Sequence, residues 1–174
     1  MFSGWENYYL MVGSSAGALI GLMFVVVTLT RGRDPAELER GKHLYTSPIV
    51  WHLAIILVLS GAAAMPTITA KVFATLAAGL ALLGFGLGTR SAVGIATAQL
   101  AGPTDSFFDM WWYGIVPALV YVGLGAAAVG LFWNSPWGES TVAVDLMVLL
   151  LVSIHAEWDL VTYLAPIASK SDDG

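Results

Sequence analysis

Stretches close to twenty residues long with almost no charged side chain recur along this chain and constrain its fold more than any other feature. The segments GLMFVVVTL, near the start, and LMVLLLVSI, near the end, are continuously apolar. A half-buried strand alternates apolar and polar side chains, whereas a helix crossing a hydrocarbon core about 30 Å thick needs roughly 20 apolar residues in succession. A transmembrane barrel, built from alternating strands of about ten residues, is disfavoured on the same ground. Composition agrees: 57% of the 174 residues are apolar and 11% charged, against about 25% charge in an ordinary soluble domain. A soluble enzyme and a disordered chain are excluded. The lack of cysteine excludes a disulfide scaffold, and a net charge of −5 with seven basic residues excludes nucleic-acid binding.

The fold expected is an all-α integral membrane protein, a compact bundle of five transmembrane helices forming a single domain over residues 1–174. The spans fall at about 8–30, 48–65, 72–88, 113–133 and 141–164, with cytoplasmic loops at 31–46 and 89–110. Ser47 is suited to cap the second helix with Pro48 at its first position, and Asp34 with Pro35 to start a short helical piece in the first loop. The stretch SAVGIATAQLAG after Arg90 is apolar enough to extend the third helix or to lie along the interface. Arg31, Arg33, Arg40 and Lys42 share the first loop. If that loop is cytoplasmic, Arg90 and Lys170 are inside too and Lys71 alone is outside, a count of six to one. The positive-inside rule then gives an outside N-terminus and a cytoplasmic C-terminus. Without a basic n-region, helix one reads as a retained span, and an Ala- and Gly-rich chain of this kind points to a bacterial inner membrane.

Tryptophan and tyrosine favour the headgroup level. Trp5, Tyr8, Tyr9, Trp133 and Trp137 are expected at the outer face, and Trp51, Trp111, Trp112, Tyr113 and Tyr163 at the inner one. Gly13, Gly17 and Gly21 recur every four residues on helix one, as do Gly84 and Gly88 on helix three. Such faces let helix backbones approach closely where no hydrophobic drive acts between helices. Pro117 should bend helix four, as a static kink or a hinge. The opening stretch WENYYLMVGSSAGALIGLMFVVV resembles first helices of small bacterial membrane proteins and carries no functional site with it.

The chemistry is concentrated in Ser153-Ile154-His155-Ala156-Glu157-Trp158-Asp159. Were helix five to stop before His155, its apolar part would be too short to cross, so these groups lie at membrane depth, where an ionisable side chain is costly unless paired or facing water. His155, Asp159 and Thr162 share one helical face; Glu157 lies about 200° round from His155. His52 stands at a depth level with Asp159, and an Asp159–His52 contact would make a pair able to pass a proton. Glu157 is expected to meet Arg90, Arg31 or a neighbouring subunit. Asp145 falls roughly on the His155 and Asp159 side, giving one polar stripe along helix five, while Glu6 and Glu139 join it in an acidic outer rim.

These residues support a small, self-associating membrane protein that conducts or transports protons or cations along His52, Asp145, His155 and Asp159. An accessory or scaffold subunit of a larger membrane complex is the alternative, with the charges as interhelical pairs. A metal held by His52, His155 and Asp159, or a haem between the two histidines, is the third reading; otherwise no cofactor is expected. Expected partners are the lipid bilayer, further copies of the chain, or the subunits of such a complex. The chain has no cysteine nucleophile, phosphate loop or selectivity-filter sequence, so an enzyme is not expected.

Overall fold

A computed structural model describes residues 2–29, 47–99 and 111–169, and these are helical throughout apart from short turns. The helices are α1 (Glu6–Leu29), α2 (Ser47–Ala63), α3 (Ala70–Gln99), α4 (Val116–Phe132) and α5 (Trp137–Ser169), with a π-helical turn, Trp111–Ile115, leading directly into α4. No strand occurs among the described residues. Four segments are long and apolar enough to cross a membrane: Glu6–Val26, Ala70–Arg90, Trp111–Phe132 and Trp137–Thr162. The fifth, α2, has 17 residues and a length of about 26 Å at 1.5 Å per residue. Its apolar part, Ile49–Ala63, falls short of the hydrocarbon thickness that its neighbours match.

The helices alternate in direction. One end of the bundle carries Phe2, Ala63, Ala70, Phe132 and Trp137, and the other carries Leu29, Ser47, Gln99, Trp111 and Ser169. Neighbours in sequence pack together, α5 closes against α1, and α2 also touches α5 across the middle. The position of α2 explains its composition: Ile49, Leu53, Ile55, Ile56 and Leu59 are all buried on this short helix. The other helices turn Leu10, Phe24, Leu82, Leu119 and Leu151 outward, which puts large apolar side chains on the outside of the bundle.

At the Phe2 end the chain folds back into the bundle. Phe2 and Gly4 adopt positive φ angles of 56° and 86°. Glu6 accepts a 2.9 Å bond from the Gly4 N–H. The Phe2 ring is thereby seated edge-on against Tyr9 and Phe73, with centroids 4.9 and 4.8 Å away. Tyr9 is fully buried and Tyr113 nearly so, so these two are core residues instead of outward-facing interfacial anchors. Trp51, Trp111, Trp133 and Trp137 are exposed, as a belt requires.

Three boundaries differ from expectation. First, α3 continues through Gln99, past the end of the span expected at residue 88; of the two courses expected for the apolar sequence after Arg90, it takes extension of the helix. Second, α5 runs past Pro166 to Ser169. Third, Pro117 sits in the first turn of α4, immediately after the π turn. A proline ring clashes with the carbonyl four residues earlier and lacks an N–H, and the irregular turn lies where that clash would fall; a mid-helix kink is replaced by a widened turn ahead of the proline. The α4–α5 connection is a Schellman cap. Asn134 takes φ 55°, its N–H bonds to the Leu131 carbonyl at 3.0 Å, and the Ser135 N–H reaches the Gly130 carbonyl at 2.8 Å. The helical piece expected at Pro35–Arg40 lies outside the described residues.

The glycines divide by what faces them. The Tyr121 ring fills the space where a Gly84 side chain would stand, and a Cβ on Gly13 would meet Ser60 at 3.0 Å. Gly17, Gly21 and Gly88 have nothing within 4 Å of that position, so among the described residues Gly13 and Gly84 are the two of these five that another helix approaches closely. Close approaches at Gly123, Gly130 and Gly138, against Asp145, Trp137 and Leu131, complete the α4–α5 seam.

Candidate functional site

The polar side chains gather on α5 and on the helices facing it. At the Trp111 end, the π turn presents Trp112 and Tyr113 to α5. The Tyr113 hydroxyl donates to Asp159 Oδ2 at 2.6 Å, and His155 Nε2 approaches the same oxygen at 3.4 Å. The His155 ring lies 4.7 Å from the Trp112 ring, centroid to centroid. The i, i+4 spacing on α5 brings His155 and Asp159 together, as the sequence indicates. Both are part-exposed, at 42% and 36%, so this cluster sits at the edge of the bundle with access to its surroundings. One carboxylate oxygen thus faces two groups, a phenol that donates to it and an imidazole nitrogen 3.4 Å away.

Deeper in the bundle, His52 on α2 is buried, and its Nδ1 shares a 2.5 Å hydrogen bond with the Tyr121 hydroxyl of α4. The expected His52–Asp159 pair is not formed; each of the two is paired instead with a tyrosine from the segment that runs from Trp111 to Phe132. Equal depth on two helices does not fix which way each side chain points, and Gly84 opens the space that lets Tyr121 reach inward to α2. The separation of His52 from His155 also dismantles the metal set. Among the described residues no three His, Cys, Asp or Glu side chains converge to hold a metal ion.

Towards the Phe2 end, Asp145 stands against Gly123 of α4, its Oδ1 2.7 Å from where a Cβ would be, and its Oδ2 is buried without a hydrogen-bond partner. Asp145, His155 and Asp159 therefore all face the Trp111–Phe132 segment, which gives the α5 stripe a definite neighbour. Tyr8 is also tied to α5 here, donating to the Ala143 carbonyl at 2.5 Å. Tyr9 Oη and Ser60 Oγ are buried without a hydrogen-bond partner among the described residues. Glu139 lies in the first turn of α5.

Glu157 points the other way, towards α1. It is 9% exposed, Oε1 has no hydrogen-bond partner, and it lines a cavity with Leu22, Met23 and Val26 of α1. Arg90 is exposed on α3, and Arg31 lies outside the described residues. The pairing of His52 with Tyr121 and of Asp159 with Tyr113 is what sequence reasoning missed. Apolar neighbours at four-residue spacing around Tyr121, and Gly84 opposite, are signals visible only once the helices are placed. No family model, curated protein or solved structure matches this chain.

Proposed function

We propose that the protein is a multi-pass membrane protein, with its N-terminus outside and its C-terminus in the cytoplasm, that moves protons or small cations along the seam between α5 and α4 and works as a homo-oligomer. The observation that carries this reading is the sharing of Asp159 Oδ2 by Tyr113 and His155 inside a segment apolar enough to span a bilayer. Ionisable groups at such depth are costly and mark ion or proton pathways. The partial exposure of His155 and Asp159 lets them take up a proton at the Trp111 end. Tyr121 with His52 follows roughly 12 Å along α4, on the face turned to Gly84 and α2, and Asp145 beside Gly123 lies about 3 Å further along on the opposite face, at 1.5 Å and 100° per residue. Between these levels α4 and α5 contribute Pro117, Val120, Leu149 and Val152, all buried and apolar. Such a constriction passes ions only when water enters it.

The test is reconstitution into liposomes with a trapped pH-sensitive dye and an imposed potassium diffusion potential. Wild-type protein should collapse the proton gradient, and Asp159→Asn should abolish the flux while leaving assembly intact. Wild-type traces equal to empty liposomes would remove the transport reading; full flux through Asp159→Asn would remove Asp159 from the path. A second reading, an accessory subunit of a larger membrane complex, is supported by the open edge of α1 at Gly17 and Gly21, where another helix could approach closely. In that case a different protein co-purifies in mild detergent and no flux is seen alone.

A further inference from the structure

The α4–α5 seam leaves Glu157 unused. Its side chain lies on the opposite side of α5, in a cavity of about 290 Å³ whose remaining lining is Leu22, Met23, Val26, Ile154, Trp158 and Val161. Every lining side chain except Glu157 is apolar, apart from the indole N–H of Trp158. The residue is nine-tenths buried, and Oε1 has no hydrogen-bond donor among the described residues. The rim is outward-facing: Leu22 is 57% exposed, Ile154 44%, Trp158 68% and Val161 42%. These residues belong to segments that match a bilayer span, so a ligand reaches the cavity from the lipid side.

A buried carboxyl with an unpartnered oxygen is either held neutral or ionised against a positive charge brought beside it. The walls around this one accept only an apolar body, and the volume is at the lower end of ligand-sized cavities. From these features we infer that the α1–α5 cavity is a binding site for a small hydrophobic amine, whose ammonium group pairs with Glu157 while its hydrocarbon part packs against Leu22, Met23 and Ile154. The inference rests on the membrane embedding of the bundle and is independent of the transport path, which uses other residues.

The test uses full-length protein in phosphatidylcholine nanodiscs, with n-octylamine as probe and n-octanol as its uncharged counterpart. Dicyclohexylcarbodiimide, which adds to carboxyl groups in apolar surroundings, reports on Glu157 by peptide mass spectrometry. Octylamine should protect Glu157 from this label in a saturable manner, and octanol should not. Direct binding of octylamine should weaken by roughly ten- to a hundredfold in Glu157→Gln, the range of a charge-assisted hydrogen bond. Leu22→Trp, which fills the mouth and keeps the acid, should reduce binding as well and covers the case in which Glu157→Gln does not fold. Equal protection by octanol, or equal octylamine binding by wild type and both variants, would overturn the inference. Repeating the labelling in phosphatidylethanolamine discs separates two sources of the amine: protection there without octylamine identifies the lipid headgroup, and its absence a free amine.

Discussion

Replacing Gly84 by alanine is the most direct probe of how the core is assembled. The Tyr121 ring occupies the position that a Cβ on Gly84 would take, and Tyr121 is 1% exposed, so the ring has no open space into which to retreat. Forcing one methyl group into such a contact costs about 1 to 3 kcal/mol. Moving the ring also stretches or breaks the 2.5 Å bond to His52, leaving a buried polar group unpaired at a further cost of about 1 to 3 kcal/mol. Gly84→Ala should therefore lose roughly 2 to 6 kcal/mol in all. The measurement is equilibrium unfolding in mixed micelles, followed by the fluorescence of the seven tryptophans. Gly17→Ala is the control, because nothing lies within 4 Å of its added Cβ; it should be neutral or stabilising by up to about 1 kcal/mol. In a Tyr121→Ala background the cost of Gly84→Ala should fall below about 1 kcal/mol, since the partner in the clash is gone. Gly84→Ala as stable as Gly17→Ala, with Tyr121 present, would refute the packing argument.

Further outcomes follow from other contacts. Tyr121→Phe should cost about 1 to 3 kcal/mol by leaving His52 Nδ1 without its partner, and the His52→Leu/Tyr121→Phe double variant should cost less than the two singles together; additive losses in the same unfolding assay would count against the pair. Tyr113→Phe removes the donor to Asp159 and should slow proton flux in liposomes with a stability loss of only about 1 kcal/mol; undiminished flux would show that the phenol has no part in transfer. Asn134→Gly should change stability by a few tenths of a kcal/mol, whereas Asn134→Val should cost about 1 to 2 kcal/mol at the same positive φ, and equal melting temperatures for the two would contradict the left-handed cap.

Apolar run length is enough to locate the five long helices of the described residues, because charge and proline bound each run. The His155–Asp159 approach was equally legible, since i, i+4 spacing on one helix needs no knowledge of any other. What spacing along the chain cannot supply is the rotation of one helix about its axis relative to another. His52 and Asp159 were matched by depth, yet His52 meets Tyr121, 69 residues away, and Asp159 meets Tyr113, 46 residues away. Tyr9 and Tyr113 have the composition of headgroup anchors but are buried: Tyr113 satisfies its hydroxyl on Asp159, whereas Tyr9 is held by ring contacts with Phe2 and Tyr8 and its hydroxyl has no partner among the described residues. Pro117 carried a true signal of irregularity, although the distortion took the form of a π turn before it instead of a bend.

That π turn also sets a counting rule for the whole segment. It holds one residue more than an α-helical turn, and each residue advances a helix by about 100°. The azimuth of Trp112 and Tyr113, relative to Tyr121 further along, therefore depends on a single surplus residue between Trp111 and Ile115. Deleting Gly114 or Ile115, the two residues of the turn that lie between Tyr113 and Tyr121, would swing Tyr113 by about 100°, roughly a quarter-turn, off Asp159 while leaving Tyr121 in place. Substitutions in this stretch alter a contact, but a change in its length severs the alignment between the two tyrosines, so length here is under tighter constraint than identity.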